Sequence, residues 1–235
     1  MRMRIRMIPG FTLPAGSWDP VIKFFDPDWD VQAFDIPDGL DFVATAETLG
    51  HRGAQGVWVG YSLGARLALC LALNRPETVE RLVLISSTAG IESSDDRRAR
   101  TAADNELAVS IESNGVDIFL EQWLDQRLFE TLPAEVAQLS ERKRVATAHG
   151  LIHQLLVLGQ GVQEPLWGRL GELDLPVLII VGQWDRAYTR TGQRLQEAIG
   201  DNATLAVIPS AGHAVHLEQP EAVAHEIAAW LAAAE

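Results

Sequence analysis

Residues 57–73 read V-W-V-G-Y-S-L-G-A-R-L-A-L-C-L-A-L, and the order of side-chain types within them decides the architecture. Val57-Trp58-Val59 is a short β-prone apolar run, after which Leu63, Leu67, Cys70, Leu71 and Leu73 recur at helical spacing. Between the two, Gly60-Tyr61-Ser62-Leu63-Gly64 fits the pattern G-x-S-x-G. In that pattern a serine sits on a strained strand-to-helix bend, and the glycines let neighbouring backbone pass where a Cβ would collide. Its hydroxyl is thereby lifted to the top of a sheet. Three fixed positions in five recur by chance in many chains, so the strand before and the helix after are what give the pattern weight.

The flanking chain keeps the same rhythm. Residues 4–8 read as a first strand ending at Pro9-Gly10, followed by a Gly- and Pro-containing loop over 11–18 and a helix near 20–25. Residues 30–36 predict a second strand closed by Pro37-Asp38-Gly39, and 41–49 a short helix that starts at Asp41. After the elbow, 81–87 is a continuous apolar strand of the kind buried on both faces. The alternation then stops. From 91 to about 172 the chain is polar and helix-patterned, with helices expected over 95–113, 116–129, 133–158 and 162–170. Such a length exceeds a simple connection, so it predicts a helical cap inserted between two strands. Strands resume at 177–181 and 204–208 with a helix over 189–199 between them, and a last helix covers 220–233. The expected fold is α/β: an open, mostly parallel sheet of about six strands, with core segments 1–90 and 173–235 and the cap at 91–172.

Composition narrows the function classes. The 235 residues can bury one full core, and 19 Lys plus Arg against 32 Asp plus Glu give a net charge of −13. That field repels nucleic acid and anionic membranes, so neither is an expected partner, and any anionic substrate needs a local cluster of arginines. Cys70 is the single cysteine, which excludes a disulfide framework and a cysteine-based zinc site. Residues 1–8 alternate Arg with apolar residues and lack the apolar core of a signal peptide. The longest apolar stretches, 177–181 and 227–234, fall far short of the ~20 residues that span a bilayer. A cytoplasmic location is expected.

Two later strands deliver the chemistry that a serine needs. Residues 177–185, V-L-I-I-V-G-Q-W-D, run from strand into loop and end on Asp185, and 204–213 run into P-S-A-G-H and end on His213. A serine hydroxyl is a weak nucleophile until an imidazole removes its proton, and a carboxylate fixes the imidazole tautomer and stabilises the imidazolium. Ser62, Asp185 and His213 are therefore the candidate catalytic set; the alternative is a helix-capping serine and an ordinary loop histidine. Backbone N–H groups of Leu63 and Phe11 are candidate oxyanion donors, with a plain apolar contact as the other reading of Phe11. Arg66, one helical turn after Ser62, is either an ion pair at the sheet–helix boundary or a fork for a substrate carboxylate. Arg97, Arg98 and Arg100 crowd the start of the cap, with one of them expected to turn inward. His213, His216 and Glu218, or His149 and His153, have ligand-like spacings without a convincing further ligand, so no metal and no cofactor is expected. Trp167 and Trp184 are read as packing residues, and Trp123 as packing or a pocket wall.

These residues resemble the α/β-hydrolase-fold superfamily over essentially the whole chain, and more specifically the 2-succinyl-6-hydroxy-2,4-cyclohexadiene-1-carboxylate synthases of menaquinone biosynthesis. The resemblance rests on G-Y-S-L-G-A-R at 60–66, D-R-R-A-R at 96–100, Trp123 in F-L-E-Q-W-L, and Gly212-His213 in A-G-H-A-V-H-L-E-Q-P. It implies a lyase that eliminates pyruvate from a carboxylated ring precursor without cofactor or metal, with Ser62 acting as a base on a carbon-bound proton. It further implies that Arg66 and Arg100 bind substrate carboxylates and that Tyr61 and Trp123 line the site. Pro9-Gly10 stands where the family carries His-Gly, and Leu156 where the synthases carry a further cap arginine. A carboxylesterase-type hydrolase of small esters, using the same three residues, is the alternative, and a non-catalytic ligand-binding protein on the same scaffold the third reading.

Overall fold

The structure, a computed structural model, describes residues 2–233; Met1, Ala234 and Glu235, which the divisions above include, lie outside the described residues. In chain order the elements are β1 (Arg4–Ile8), α1 (Asp19–Ile22), β2 (Asp30–Ala33), α2 (Phe42–Gly53), β3 (Gly56–Tyr61), α3 (Leu63–Asn74) and β4 (Val79–Ile85). There follow α4 (Ser94–Asn114), α5 (Val116–Leu124), α6 (Leu139–Val145) and α7 (Ala148–Leu156), then β5 (Val177–Gly182), α8 (Arg186–Ile199), β6 (Ala203–Ile208), α9 (Val215–Glu218) and α10 (Pro220–Ala233).

Six strands form one open sheet in the order β2-β1-β3-β4-β5-β6, with every neighbouring pair parallel. The fold is thus the α/β arrangement that the sequence predicts. Successive strand side chains point to opposite faces, and the core divides accordingly. Trp58, Leu82, Leu84, Ile179 and Val181 pack with α2, α3 and α8 on one face. Met7, Val57, Val59, Val83, Ile85 and Ile180 pack with α9 and α10 on the other. β3 and β5 are buried at every residue, which is why their sequences are continuously apolar instead of alternating. All residues of α3 from Leu63 to Leu73 are buried, so this helix threads the core and has no solvent face.

The strand order reverses between β1 and β3, since the chain leaves β1 for β2 on one side and returns to β3 on the other. Ligands of open α/β sheets bind at the carboxyl ends of strands at such a point. β2 is one edge of the sheet, with β6 the other, and is only four residues long; Phe34 and Ile36 leave the sheet for the core. A short edge offers little template for pairing with another chain. Arg6, nearly buried, donates from Nη2 to Asp30 Oδ2 at 2.8 Å and from Nε to Gly53 O, and its guanidinium holds the Asp30 carboxyl below the ordinary carboxylate range.

Several helices differ from the expectation: α1 ends at Ile22, short of residue 25, and α2 runs on to Gly53, past residue 49. The helix expected over 133–158 is two, because Thr147 is extended and its hydroxyl caps α7 by accepting from the Gly150 N–H. That expected over 116–129 stops at Leu124 and resumes as a 3-10 turn, Arg127–Phe129. In place of the helix expected over 162–170 only a 3-10 turn forms, Trp167–Glu172, since Pro165 cannot continue an α-helix. α8 begins three residues early because the Asp185 carboxylate caps it, accepting from the Tyr188 N–H at 3.0 Å. No helix among the described residues is long and apolar enough to cross a membrane.

Candidate active site

Ser62 has φ 50 and ψ −108, the strained left-handed bend that the pentapeptide demands. A Cβ on Gly60 would collide with the Ala65 backbone, and one on Gly64 with the carbonyl oxygens of Ile8 and Pro9. The glycines therefore let β1, β3 and α3 approach closely enough to hold the bend. Ser62 donates its N–H to Ile85 O at 2.9 Å, while its side chain makes no helix-capping bond, which removes the capping alternative.

The loops after β5 and β6 meet beside it. Trp184 N–H donates to Ala211 O, Ser210 N–H to Gln183 Oε1, and Gly182 faces the carbonyls of Ala211 and Gly212 where a Cβ would not fit. Asp185 Oδ2 lies 2.9 Å from His213 Nδ1, with both side chains almost wholly buried. His213 packs against the rings of Tyr188 (4.5 Å), Tyr61 (5.6 Å) and Phe129 (6.1 Å). Two residues that the sequence did not single out for this task fix its backbone. Ser86 Oγ donates to His213 O at 2.8 Å, and the Glu218 carboxylate accepts from the N–H groups of Gly212 and Ala214 on either side of the histidine. Glu218 and His213 are thus spoken for by amides and Asp185, and His216 lies between the Trp18 and Tyr61 rings. Among the described residues no group of three or more side chains is arranged to hold a metal.

Ser62 and His213 open into one cavity of about 320 Å³, between the carboxyl ends of the strands and helices α4, α5 and α7. Phe11, Leu63, Arg66, Arg100 and Trp123 also line it. Leu63 is the first residue of α3, where helix N–H groups have no partner within the helix. Phe11 packs edge-on against Trp123 at 4.9 Å, joining the loop after β1 to α5. Tyr61 does not face the cavity: it lies beneath it, 3% exposed, between His213 and His216, and burial pushes its phenol far above the ordinary value.

Arg66 is 5% exposed, and of its guanidinium Nη2 donates to Leu158 O at 2.9 Å and Nη1 to Gln163 Oε1, while Nε has no partner. Burial lowers its pKa to about 10, so it stays cationic at neutral pH, and no carboxylate of the protein is bonded to it. Of the three arginines at the start of α4, Arg97 donates to backbone carbonyls and Arg98 pairs with Asp95, whereas Arg100 turns inward and bonds Asp104. Leu156 is half-buried in the cluster around Ile111, Phe119 and Leu120 and is not part of the cavity wall. Trp184 is 55% exposed and so is no core residue, because the β5 loop that carries it turns outward. Arg142, buried on α6, was not legible as a site residue; it donates to Thr12 Oγ1 and Ala137 O and ties that helix to the loop after β1.

The sequence profile described as "Alpha/beta hydrolase family" matches residues 7–226. The chain belongs to the alpha/beta hydrolase family. As an alpha/beta hydrolase it is an enzyme of a family acting on small molecules, and its relatives divide by reaction. The 2-succinyl-6-hydroxy-2,4-cyclohexadiene-1-carboxylate synthase of Serratia proteamaculans (strain 568) is 27% identical over 220 residues, 87% of this chain and 84% of the relative. A Bacillus subtilis (strain 168) protein provisionally given the same name is 36% identical over 166 residues, 69% of this chain and 60% of its own length. Among solved structures, MenH from S. aureus superposes with a TM-score of 0.90 at 24% identity, covering 98% of this chain and 94% of that one. A thermophilic esterase from Thermogutta terrifontis reaches 0.79 at 21% identity, covering 97% and 89%. At these identities the structural likeness is one of fold.

Proposed function

We propose that this alpha/beta hydrolase is a cytoplasmic lyase that eliminates pyruvate from a carboxylated ring precursor to form 2-succinyl-6-hydroxy-2,4-cyclohexadiene-1-carboxylate, the product named for its relatives. The observation that carries the reading is Arg66. A buried guanidinium with an unpaired Nε, in the same cavity as Ser62 and a second inward arginine, is costly unless a ligand anion meets it. An enzyme of neutral esters has no use for that pair.

In this reading residues 91–172 act as a cap that closes the cavity. Ser62, His213 and Asp185 work as one unit. Asp185 holds the His213 tautomer in which Nε2 accepts a proton; His213 draws the proton from Ser62 Oγ; and Ser62 takes a proton from a ring carbon. The electron pair of that C–H bond forms a ring double bond as the bond to the enolpyruvyl oxygen breaks, and the leaving enolate is protonated to pyruvate. The N–H groups of Leu63 and Phe11 stabilise the negative charge that develops, Arg66 and Arg100 hold carboxylates, Trp123 walls the cavity, and Tyr61 supports His213 from below.

The same His213–Asp185 contact and strained Ser62 also suit attack on an ester carbonyl, so a small-ester hydrolase is the second reading, favoured by Pro9 and Leu156 where the synthases carry His and Arg. Purified protein given the menaquinone precursor and, separately, short acyl esters distinguishes the two. Pyruvate release lost in Arg66→Ala supports the lyase; rapid ester turnover without pyruvate overturns it.

A further inference from the structure

Eleven buried side-chain polar atoms have no hydrogen-bond partner among the described residues, and four of them belong to residues lining the cavity beside Ser62. Two are donors, Arg66 Nε and Trp123 Nε1, and two are acceptors, Asp104 Oδ2 and Gln154 Oε1. Buried polar atoms are ordinarily paired, so such a cluster marks what a ligand must supply. Carboxylates alone would satisfy the donors and leave both acceptors dry.

Asp104 is the informative acceptor. It lies on α4 one turn after Arg100, is 2% exposed, and uses only one oxygen internally: Arg100 Nε donates to Oδ1 at 2.9 Å. Oδ2 sits where Gly159 has no side chain; a Cβ there would come within 2.8 Å of it. Burial raises the Asp104 pKa despite Arg100 and Arg66 nearby, so the carboxylate is under-solvated and gains from a donor. Arg100, engaged through Nε, keeps its Nη groups for an anion.

We propose that the Arg100–Asp104 pair reads a ligand carboxylate together with a hydroxyl on the adjacent carbon, Arg100 Nη binding the carboxylate and Asp104 Oδ2 accepting from the hydroxyl. Asp104 is then a specificity-determining residue, selecting hydroxy acids over the corresponding plain acids. The inference rests on the carboxylated-ligand reading above, and adds the residue that recognises the hydroxyl of such a ligand.

The test is calorimetric titration of the full chain with trans-2-hydroxycyclohexane-1-carboxylate and with cyclohexanecarboxylate, neither of which can undergo the elimination. The unsubstituted protein is expected to bind the hydroxy acid at least about tenfold more tightly, the strength of a hydrogen bond to a charged acceptor. Asp104→Ala is expected to abolish that preference while binding cyclohexanecarboxylate at least as well, because a negative charge has gone; a merely damaged cavity would weaken both acids. Asp104→Leu keeps about the same size, carries no group that can pair with a hydroxyl, and serves the same comparison if the alanine variant does not fold. Unsubstituted protein that binds both acids equally or neither, or a preference that survives in the Asp104 variants, overturns the inference. A preference without pyruvate release overturns the lyase reading alone, and pyruvate release without a preference overturns this one alone.

Discussion

Asp185 performs two tasks through different oxygens, and two substitutions separate them. Oδ1 caps α8 through the Tyr188 N–H at 3.0 Å, and Oδ2 bonds His213 Nδ1 at 2.9 Å. Asparagine caps helices about as well as aspartate, so Asp185→Asn keeps the cap and is expected to cost less than about 1 kcal/mol of stability. Alanine loses the cap, worth about 1 kcal/mol, and leaves the buried His213 Nδ1–H unpaired, worth about 1–3 kcal/mol. For a chain of this size each kcal/mol moves the melting temperature by about 2–4 °C, so Asp185→Ala is expected to melt roughly 4–16 °C below the unsubstituted protein. Activity behaves differently. An amide at this position permits the wrong imidazole tautomer, and both variants are expected to lose about 10³–10⁴-fold in kcat. Circular dichroism melts and steady-state turnover of all three proteins provide the comparison. An Asp185→Asn variant that melts normally but keeps more than about a tenth of the activity refutes the reasoning, since the tautomer argument is then wrong whatever the reaction.

Two further predictions concern the frame around the site. His216 is fully buried with both ring nitrogens unpaired, and burial, with Arg142 and His213 adding to it, lowers its pKa from 6.5 to about 3. Below pH 6.5 the unfolded chain takes up a proton that the folded chain refuses, so stability falls as pH drops from about 6.5 towards 3, by about 1.4 kcal/mol per pH unit. Urea unfolding of His216→Phe across that range should show a slope shallower by this amount; an unchanged slope removes His216 as the cause. Gly64→Ala puts a Cβ into the carbonyl oxygens of Ile8 and Pro9, which are backbone and cannot swing aside. A loss of about 3 kcal/mol in urea unfolding is expected, and a variant of normal stability contradicts the packing of the bend.

What was legible in the sequence followed from local rules. β1 and α10 fall on their expected residues, because Pro9-Gly10 ends one and Pro220 begins the other. Ser62, Asp185 and His213 could be singled out as candidates because each follows an apolar run, and strand ends share one rim of a parallel sheet. Contacts that depend on distant residues were not legible. Nothing near Arg142 in sequence points to Thr12, 130 positions away, and Arg66 finds its carbonyl partner in Leu158, 92 positions on. Glu218 carried an ambiguous signal: its spacing from His213 and His216 suggested ligation, whereas the turn it closes needs a carboxylate for two amides. The exposed Trp184 misled because an aromatic directly after a buried strand reads as core until the direction of the loop is known.

The central claim is that Ser62 removes a proton and forms no covalent bond to the substrate. Rapid-quench turnover of the menaquinone precursor, followed by intact-protein mass spectrometry alongside pyruvate assay, tests it most directly. The account predicts pyruvate release with the chain at its unmodified mass throughout, and neither pyruvate nor adduct with Ser62→Ala. An acyl adduct that maps to Ser62 and forms in step with turnover would contradict it and establish attack on a carbonyl instead.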